Sequence, residues 1–249
     1  MSDLGLAGRS VLVVGATKGL GLAIARKFCA SGAHVLLDYA HDDEAAKAAL
    51  ASLEGLPGSA SLIRADPSTE DGAAQLAAAV SAAGRGLDVL VHNAASWHPM
   101  PAAGASVADL HADVATAVDP LLRLVPALLD QLKPGSRVLA VSSSGAQRVI
   151  PRYVALGVAK AALESLVRYL AVELAPRGIT VNAVTTAKLD KGDETTQPEM
   201  VQVLAARTPA GRLSTPADVA DVVALLSAPE ASWIHGQVIT ADGGLGLRS

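Results

Sequence analysis

The stretch SVLVVGATKGLG, residues 10–21, joins a short apolar run rich in valine to three glycines, Gly15, Gly19 and Gly21, and an amphipathic segment follows it. β-Branched residues suit an extended, pleated backbone, and glycines straight after a strand let the chain turn tightly into a helix. The bare N–H groups at such a helix start, with the positive end of the helix dipole behind them, form a seat for phosphate. The spacing predicts a strand, a phosphate loop and a helix, and with them a dinucleotide site. Thr17, Lys18 and Leu20 are interleaved with the glycines and belong to the same candidate contact set.

Outward from that loop the same alternation repeats. HVLLDYA (34–40), SLIRAD (61–66), LDVLVHNAA (87–95), SRVLAVSS (136–143), GITVNAV (178–184) and GQVITADGG (236–244) read as further strands. Between them lie helical patterns over 42–55, 71–84, 107–132, 153–175 and 216–227. Strands alternating with helices imply parallel pairing, with helices on both faces. The prediction is an α/β, doubly wound, Rossmann-like sheet of seven parallel strands in a single domain, 1–249. Pro134-Gly135 and Pro176-Arg177-Gly178 stand where helices should stop, because proline removes a donor and glycine accepts a left-handed cap. TTAKLDKGDETTQPEM (185–200) is polar and aperiodic, so it reads as a long loop, and 185–208 as a substrate lid.

Composition narrows the function classes. With 249 residues, 51% of them apolar and 18% charged, the chain can bury a large core. A formal charge of −4 without a Lys/Arg cluster argues against nucleic acid as a partner. Cys29 is the single cysteine, expected to be a buried helix residue, so neither disulfides nor a thiolate metal site are expected. The six histidines lack ligand spacing, and no metal is predicted. No run of about 18 apolar residues occurs, so no membrane span and a cytoplasmic location are expected.

GATKGLG (15–21), Asp66 after the third strand, HNAAS (92–96), VSSSG (141–145), the Lys160 segment, VNAV (181–184) and ADGG (241–244) follow one another in a set order. In those motifs the chain resembles the short-chain dehydrogenase/reductase family over its whole length. The resemblance implies that Asp66 bonds the adenine edge and that Asn93 holds its strand beside the cofactor. It implies that Lys160 bonds the nicotinamide ribose hydroxyls, and Leu189 joins the cofactor contacts. Lys18 in the glycine loop, and Tyr39 where an NAD-selecting Asp would stand, favour NADPH; Asp38, one residue earlier, keeps NADH as the alternative. Family members are commonly homotetramers or homodimers, which implies one interface along the helices at 107–132 and 153–175 and another at the C-terminal strand.

Ordinary members of that family work with Ser, Tyr and Lys, the last two spaced Tyr-x3-Lys, plus an Asn on the preceding long helix. Here Ser143 falls in the serine slot, with Ser142 and Ser144 beside it, and Lys160 is present, but Leu156 fills the tyrosine slot and Ala117 the asparagine slot. Tyr153 lies seven residues before Lys160. At 3.6 residues per turn these two share a helix face, and the phenol's anchor shifts by about 4.5 Å along the axis. Tyr-x6-Lys is the spacing of the family's enoyl-acyl-carrier-protein reductases. The chain resembles their third class in residues 153–184, in HNAAS and in TPAGR (208–212). The activity implied is NAD(P)H-dependent reduction of an activated C=C bond. Its substrate would be an enoyl thioester on acyl carrier protein or CoA, in fatty-acid or polyketide biosynthesis.

Two alternatives stand beside it: a carbonyl or imine reductase with a relocated acid, and a non-redox protein that uses the fold as a scaffold. Tyr153 is the candidate donor, because Tyr39 belongs to the adenosine end and Tyr169 lies about 180° round the helix from Lys160. His98 is the competing donor, since imidazole titrates near neutrality. Trp97, Met100 and Ile150 would line an apolar channel, and Thr185-Thr186 replaces the family's Pro-Gly turn beside the nicotinamide.

Overall fold

The computed structural model describes residues 4–192 and 198–247. The chain runs β1 (Ser10–Val14), α1 (Gly19–Ala30), β2 (His34–Tyr39), α2 (Asp43–Ala51), β3 (Ser59–Arg64), α3 (Glu70–Ala82) and β4 (Leu87–His92). It continues through α4 (Val107–Ala127), β5 (Leu132–Val141), α5 (Val154–Leu174), β6 (Thr180–Thr185), α6 (Pro198–Arg207), α7 (Pro216–Ser227) and β7 (Val238–Thr240). The strands form one sheet in the order β3-β2-β1-β4-β5-β6-β7, and every ladder is parallel. This is the predicted doubly wound arrangement. β1 pairs with β2 on one side and β4 on the other, so the winding reverses there and opens a crevice beyond their C-terminal ends.

Side chains alternate across a strand, and the core divides accordingly. Leu12 and Val14 pack with Leu121, Leu124 and Leu163 of α4 and α5. Val11 and Val13 pack instead with Ile24 and Phe28 of α1 and Val223 of α7. Cys29 sits in α1, 1% exposed, within the second cluster. Among the described residues no helix is long and apolar enough to cross a membrane.

Two stretches depart from the periodicity. The helix expected over 107–132 ends at Ala127. Pro126 cannot donate, and the Leu128 N–H closes the last turn onto Leu124 and Val125. Leu132, 7% exposed, then opposes Leu87 and opens β5. The aperiodic stretch 185–200 also contains a helix start, since α6 begins with Pro198, a residue pre-set for the first helical position. Residues 193–197 of the expected lid lie outside the described residues. Helix α5 agrees with expectation, starting at Val154 with Tyr153 as its N-cap and ending at Leu174, after which a 3-10 turn over Ala175–Arg177 closes on Gly178 at φ 71.

Candidate active site

The glycine loop is built for close backbone approach. Gly15 and Gly19 have φ of 70 and 50, which L-residues seldom adopt. A β-carbon at Gly21 would stand 2.0 Å from the Gly15 carbonyl and 2.7 Å from Asn93 Nδ2. Asn93, just past β4, donates that Nδ2 to the Gly15 carbonyl at 2.9 Å, tying the loop across the winding reversal. Helices α2, α3, α4 and α7 carry side-chain caps from Asp42, Thr69, Ser106 and Thr215. Helix α1 does not: its N-cap is Lys18, without a side-chain cap bond. A glycine cradle in front of an uncapped helix start fits a pyrophosphate.

Around the cradle the other expected contacts fall into place unevenly. Leu20 and Leu189 are half-buried against the same apolar cluster, and Thr17 is half-buried in the loop. Exposed Lys18 pairs with Asp42 at 2.5 Å. Asp38 is 2% exposed and turned towards the loop, where it accepts the Gly15 N–H at 3.3 Å. Burial, and secondarily the nearby Asp66 charge, push its carboxyl up to about 7 despite that bond. Tyr39 ends β2 beside it, half-buried. Asp66 is exposed, and one of its oxygens accepts from the Ser68 N–H at 3.0 Å and the Ser68 hydroxyl at 2.6 Å.

At the end of β5 the second group of expected residues converges. The Tyr153 hydroxyl donates to Ser143 Oγ at 3.1 Å, and Ser143 Oγ also takes the Gly145 N–H at 3.3 Å. Of the three adjacent serines, 143 is the one that meets the phenol. Tyr153 reaches it through a slot made by glycines: a β-carbon at Gly145 would stand 2.5 Å from the ring, and one at Gly157 would stand 2.8 Å from the Gly145 carbonyl. Arg152, just before, holds φ 60, the one non-glycine positive φ among the described residues. Such a conformation stores strain and is a common mark of functional loops. Leu156 is 7% exposed and Ala117 fully buried, both in the cluster under β5. The two vacated family slots are therefore filled from the core.

Lys160 is 4% exposed and donates Nζ to the Val141 carbonyl at 2.8 Å. Burial lowers its pKa to about 8. His92 is fully buried, and burial, then the Lys160 charge, bring its pKa down to about 3. It is neutral at working pH and donates Nε2–H to the Ala117 carbonyl at 2.9 Å. The local positive charge thus rests on Lys160. Burial raises the Tyr153 phenol above its ordinary value against the lowering effect of the Ser143 bond, so at neutral pH it carries its proton.

Two acids at this site are not legible from spacing. Glu164, 5% exposed and one turn beyond Lys160, accepts from the Ser142 hydroxyl at 2.6 Å and the Gln147 amide at 3.2 Å. It pins the loop on both sides of Ser143. Asp113 of α4 is fully buried and holds Ser96 and His98. The available signal was a carboxylate on an otherwise apolar helix face, which needs donors to be tolerated. Thr186 donates to the Ala241 carbonyl at 2.8 Å and accepts the Ser144 N–H at 2.9 Å through its own carbonyl, so the threonine turn buttresses the serine loop.

Trp97 packs its ring 6.5 Å from that of Tyr153, tilted by 45°. Met100 pairs with Tyr153 through the backbone. Met100, Ile150, Tyr153 and Gly157 line a cavity of about 440 Å³, together with Gln147, Arg148 and Arg152. Of the three residues expected to wall an apolar channel, Met100 and Ile150 border this cavity and Trp97 packs on the Tyr153 ring instead.

Because its pKa lies near 8, Lys160 loses its charge as pH rises through that value. The expected result is a fall of kcat/KM above about pH 8, a profile that reports the free enzyme. Lys160→Arg, which stays protonated, should lose that limb. Stability runs the other way: between about 8 and the ordinary 10.5 the unfolded chain binds more protons, so the fold gains stability with pH. A flat profile from pH 7 to 9.5 would contradict this assignment.

Residues 15–246 match the family model described as enoyl-(acyl carrier protein) reductase. The 1-cyclohexenylcarbonyl-CoA reductase of Streptomyces collinus is 34% identical over 247 residues, 95% of this chain and 86% of that protein. The glucose 1-dehydrogenase of Gluconobacter oxydans is 32% identical over 252 residues, 97% and 93% of the two chains. A short chain dehydrogenase from Burkholderia cenocepacia, solved in complex with NADP, superposes with a TM-score of 0.88 at 31% identity, covering 97% of this chain and 99% of that one. The chain belongs to the short-chain dehydrogenase/reductase family of oxidoreductases.

Proposed function

We propose that the protein is an NADPH-dependent reductase of an activated C=C bond, acting on an α,β-unsaturated acyl thioester of CoA or acyl carrier protein in fatty-acid or polyketide-type metabolism. The observation that carries this is the position of the phenol: Tyr153 bonds Ser143 at 3.1 Å while the usual tyrosine slot holds buried Leu156. In ketone reduction the oxygen that gains charge is bonded to the carbon that receives hydride. In an enoyl thioester the charge gathers on an oxygen two atoms further away. A donor must stand where charge develops, and a phenol moved one helical turn suits the second case. The description of the matching family model and the name of the S. collinus relative support the same substrate class.

The dinucleotide supplies the hydride when bound. Gly15, Gly19, Gly21 and the start of α1 would hold its pyrophosphate, and Lys160 its nicotinamide ribose. Asp66 and Leu189 would serve the adenine and nicotinamide ends. Asp38 is buried and has one oxygen bonded by the Gly15 N–H, and exposed Lys18, once released from Asp42, would meet a 2′-phosphate; both favour NADPH over NADH. With substrate bound, the single phenol proton of Tyr153 would turn from Ser143 Oγ to the thioester oxygen, the Ser143 hydroxyl would donate to the phenol oxygen in return, and Glu164 fixes the serine loop. The described parts of the expected lid, residues 185–192 and α6, would flank the acyl group. Exposed Leu122, Tyr169 and Val172 on α4 and α5 support assembly into a dimer or tetramer.

The test is a panel of crotonyl and acetoacetyl thioesters, each on CoA and on acyl carrier protein, with both nicotinamide cofactors. NADPH oxidation is expected with crotonyl substrates. A preference for acetoacetyl substrates would replace this reading with carbonyl reduction, the reading that the dehydrogenase name of the G. oxydans relative favours.

A further inference from the structure

The loop after β4 is held by a carboxylate that the steps above leave unused. Asp113 has no exposed surface. It accepts from the Ser96 hydroxyl at 2.7 Å, from the His98 backbone N–H at 3.2 Å and from His98 Nδ1 at 2.7 Å. The last bond fixes the imidazole. With Nδ1–H directed at a carboxylate, a proton taken up at Nε2 gives an imidazolium beside a fixed negative charge, the same logic that orients a catalytic histidine elsewhere. Nε2 has no hydrogen-bond partner among the described residues, and the side chain is 42% exposed, so it can exchange protons with water.

The loop that this dyad holds stands against the phenol. Trp97, between the two residues that Asp113 holds, packs on the Tyr153 ring, and Met100 pairs with Tyr153 through the backbone. The Asp113 charge also reaches the phenol, adding to the rise in its pKa.

Reduction of a conjugated double bond needs hydrogen at two carbons. Once hydride reaches the β-carbon, the C=C electron pair moves towards the thioester oxygen, where Tyr153 bonds it. The α-carbon still needs a proton. We propose that His98, oriented by Asp113, is the acid that protonates the α-carbon. The Nε2–H bond breaks, the enolate electron pair forms the new C–H bond as the carbonyl re-forms, and the neutral imidazole regains its proton from water. This step rests on the enoyl-thioester reading.

The test uses crotonyl-CoA in D₂O with NADPH deuterated on the transferred face, so that the product carries one deuterium from hydride and one from the acid. NMR couplings then report their relative configuration. The wild-type enzyme should give one configuration. His98→Ala should bind NADPH normally, lose turnover by about 10², give both configurations and recover part of its turnover with added imidazole. Asp113→Asn should fall between the two. Wild-type-like turnover in His98→Ala, or lost turnover with a single configuration and no imidazole rescue, would overturn the role of His98 alone. A wild-type enzyme that binds NADPH but leaves crotonyl thioesters untouched would overturn the enoyl reading, and this step with it.

Discussion

Tyr153→Phe lowers turnover on an enoyl thioester by about 10² or more, with little change in NADPH affinity. Removing one preorganised donor from a developing oxyanion typically has this effect. The phenol is the hydroxyl that meets Ser143, and Phe fills the same glycine slot without it. Gly145→Ala tests the slot itself. A β-carbon there would press on the Tyr153 ring at 2.5 Å, so the ring must swing away from Ser143, and turnover should fall by about tenfold or more while cofactor affinity holds. The checks are steady-state kinetics and a fluorescence titration of NADPH on each variant. Tyr153→Phe turning over within threefold of wild type would remove the phenol from the chemistry.

Gly21→Ala weakens cofactor binding by roughly 10- to 100-fold. The added methyl would stand 2.0 Å from the Gly15 carbonyl and 2.7 Å from the Asn93 side-chain amide; the first is backbone, and the second is held in place by its bond to that same carbonyl. Overpacking of this kind costs about 1–3 kcal/mol when neighbours can give way. Here the neighbour that must give way is the phosphate loop, so the distortion falls on the binding site, and NADPH affinity should drop by roughly 10- to 100-fold. Calorimetric titration measures it, and thermal unfolding of the free protein shows whether the fold survives. Unchanged affinity would show that the pyrophosphate sits elsewhere.

The sheet was legible because its signals are local. Valine-rich runs, glycine stops and helical patterns are repeated along the chain, and each strand is bracketed by its neighbours. The glycine loop was legible because three glycines at fixed spacing have a single mechanical reading there. Tyr153, Ser143 and Lys160 could be named because their motifs resemble those of the family, with helix periodicity placing Tyr153 and Lys160 on one face. Asp113 and Glu164 could not, since each meets its partners across elements: Asp113 lies 15 residues from His98, and Glu164 22 from Ser142. Helix α6 was missed because it begins inside the polar stretch 185–200 and its apolar residues Met200, Val201 and Leu204 span little more than one turn, and α4 was extended too far because Leu128, Leu129 and Leu132 continue an apolar period past Pro126.

Leu156 and Ala117 bear on where this fold can carry a phenol. Both sit within one packed cluster, so a tyrosine placed at 156 would bring a larger, polar ring into space already taken, beside Tyr153 in its glycine slot. Leu156→Tyr alone would unsettle the fold before it supplied a Tyr-x3-Lys pair. The placement of the phenol is thereby locked by the core, and moving it takes several coupled changes.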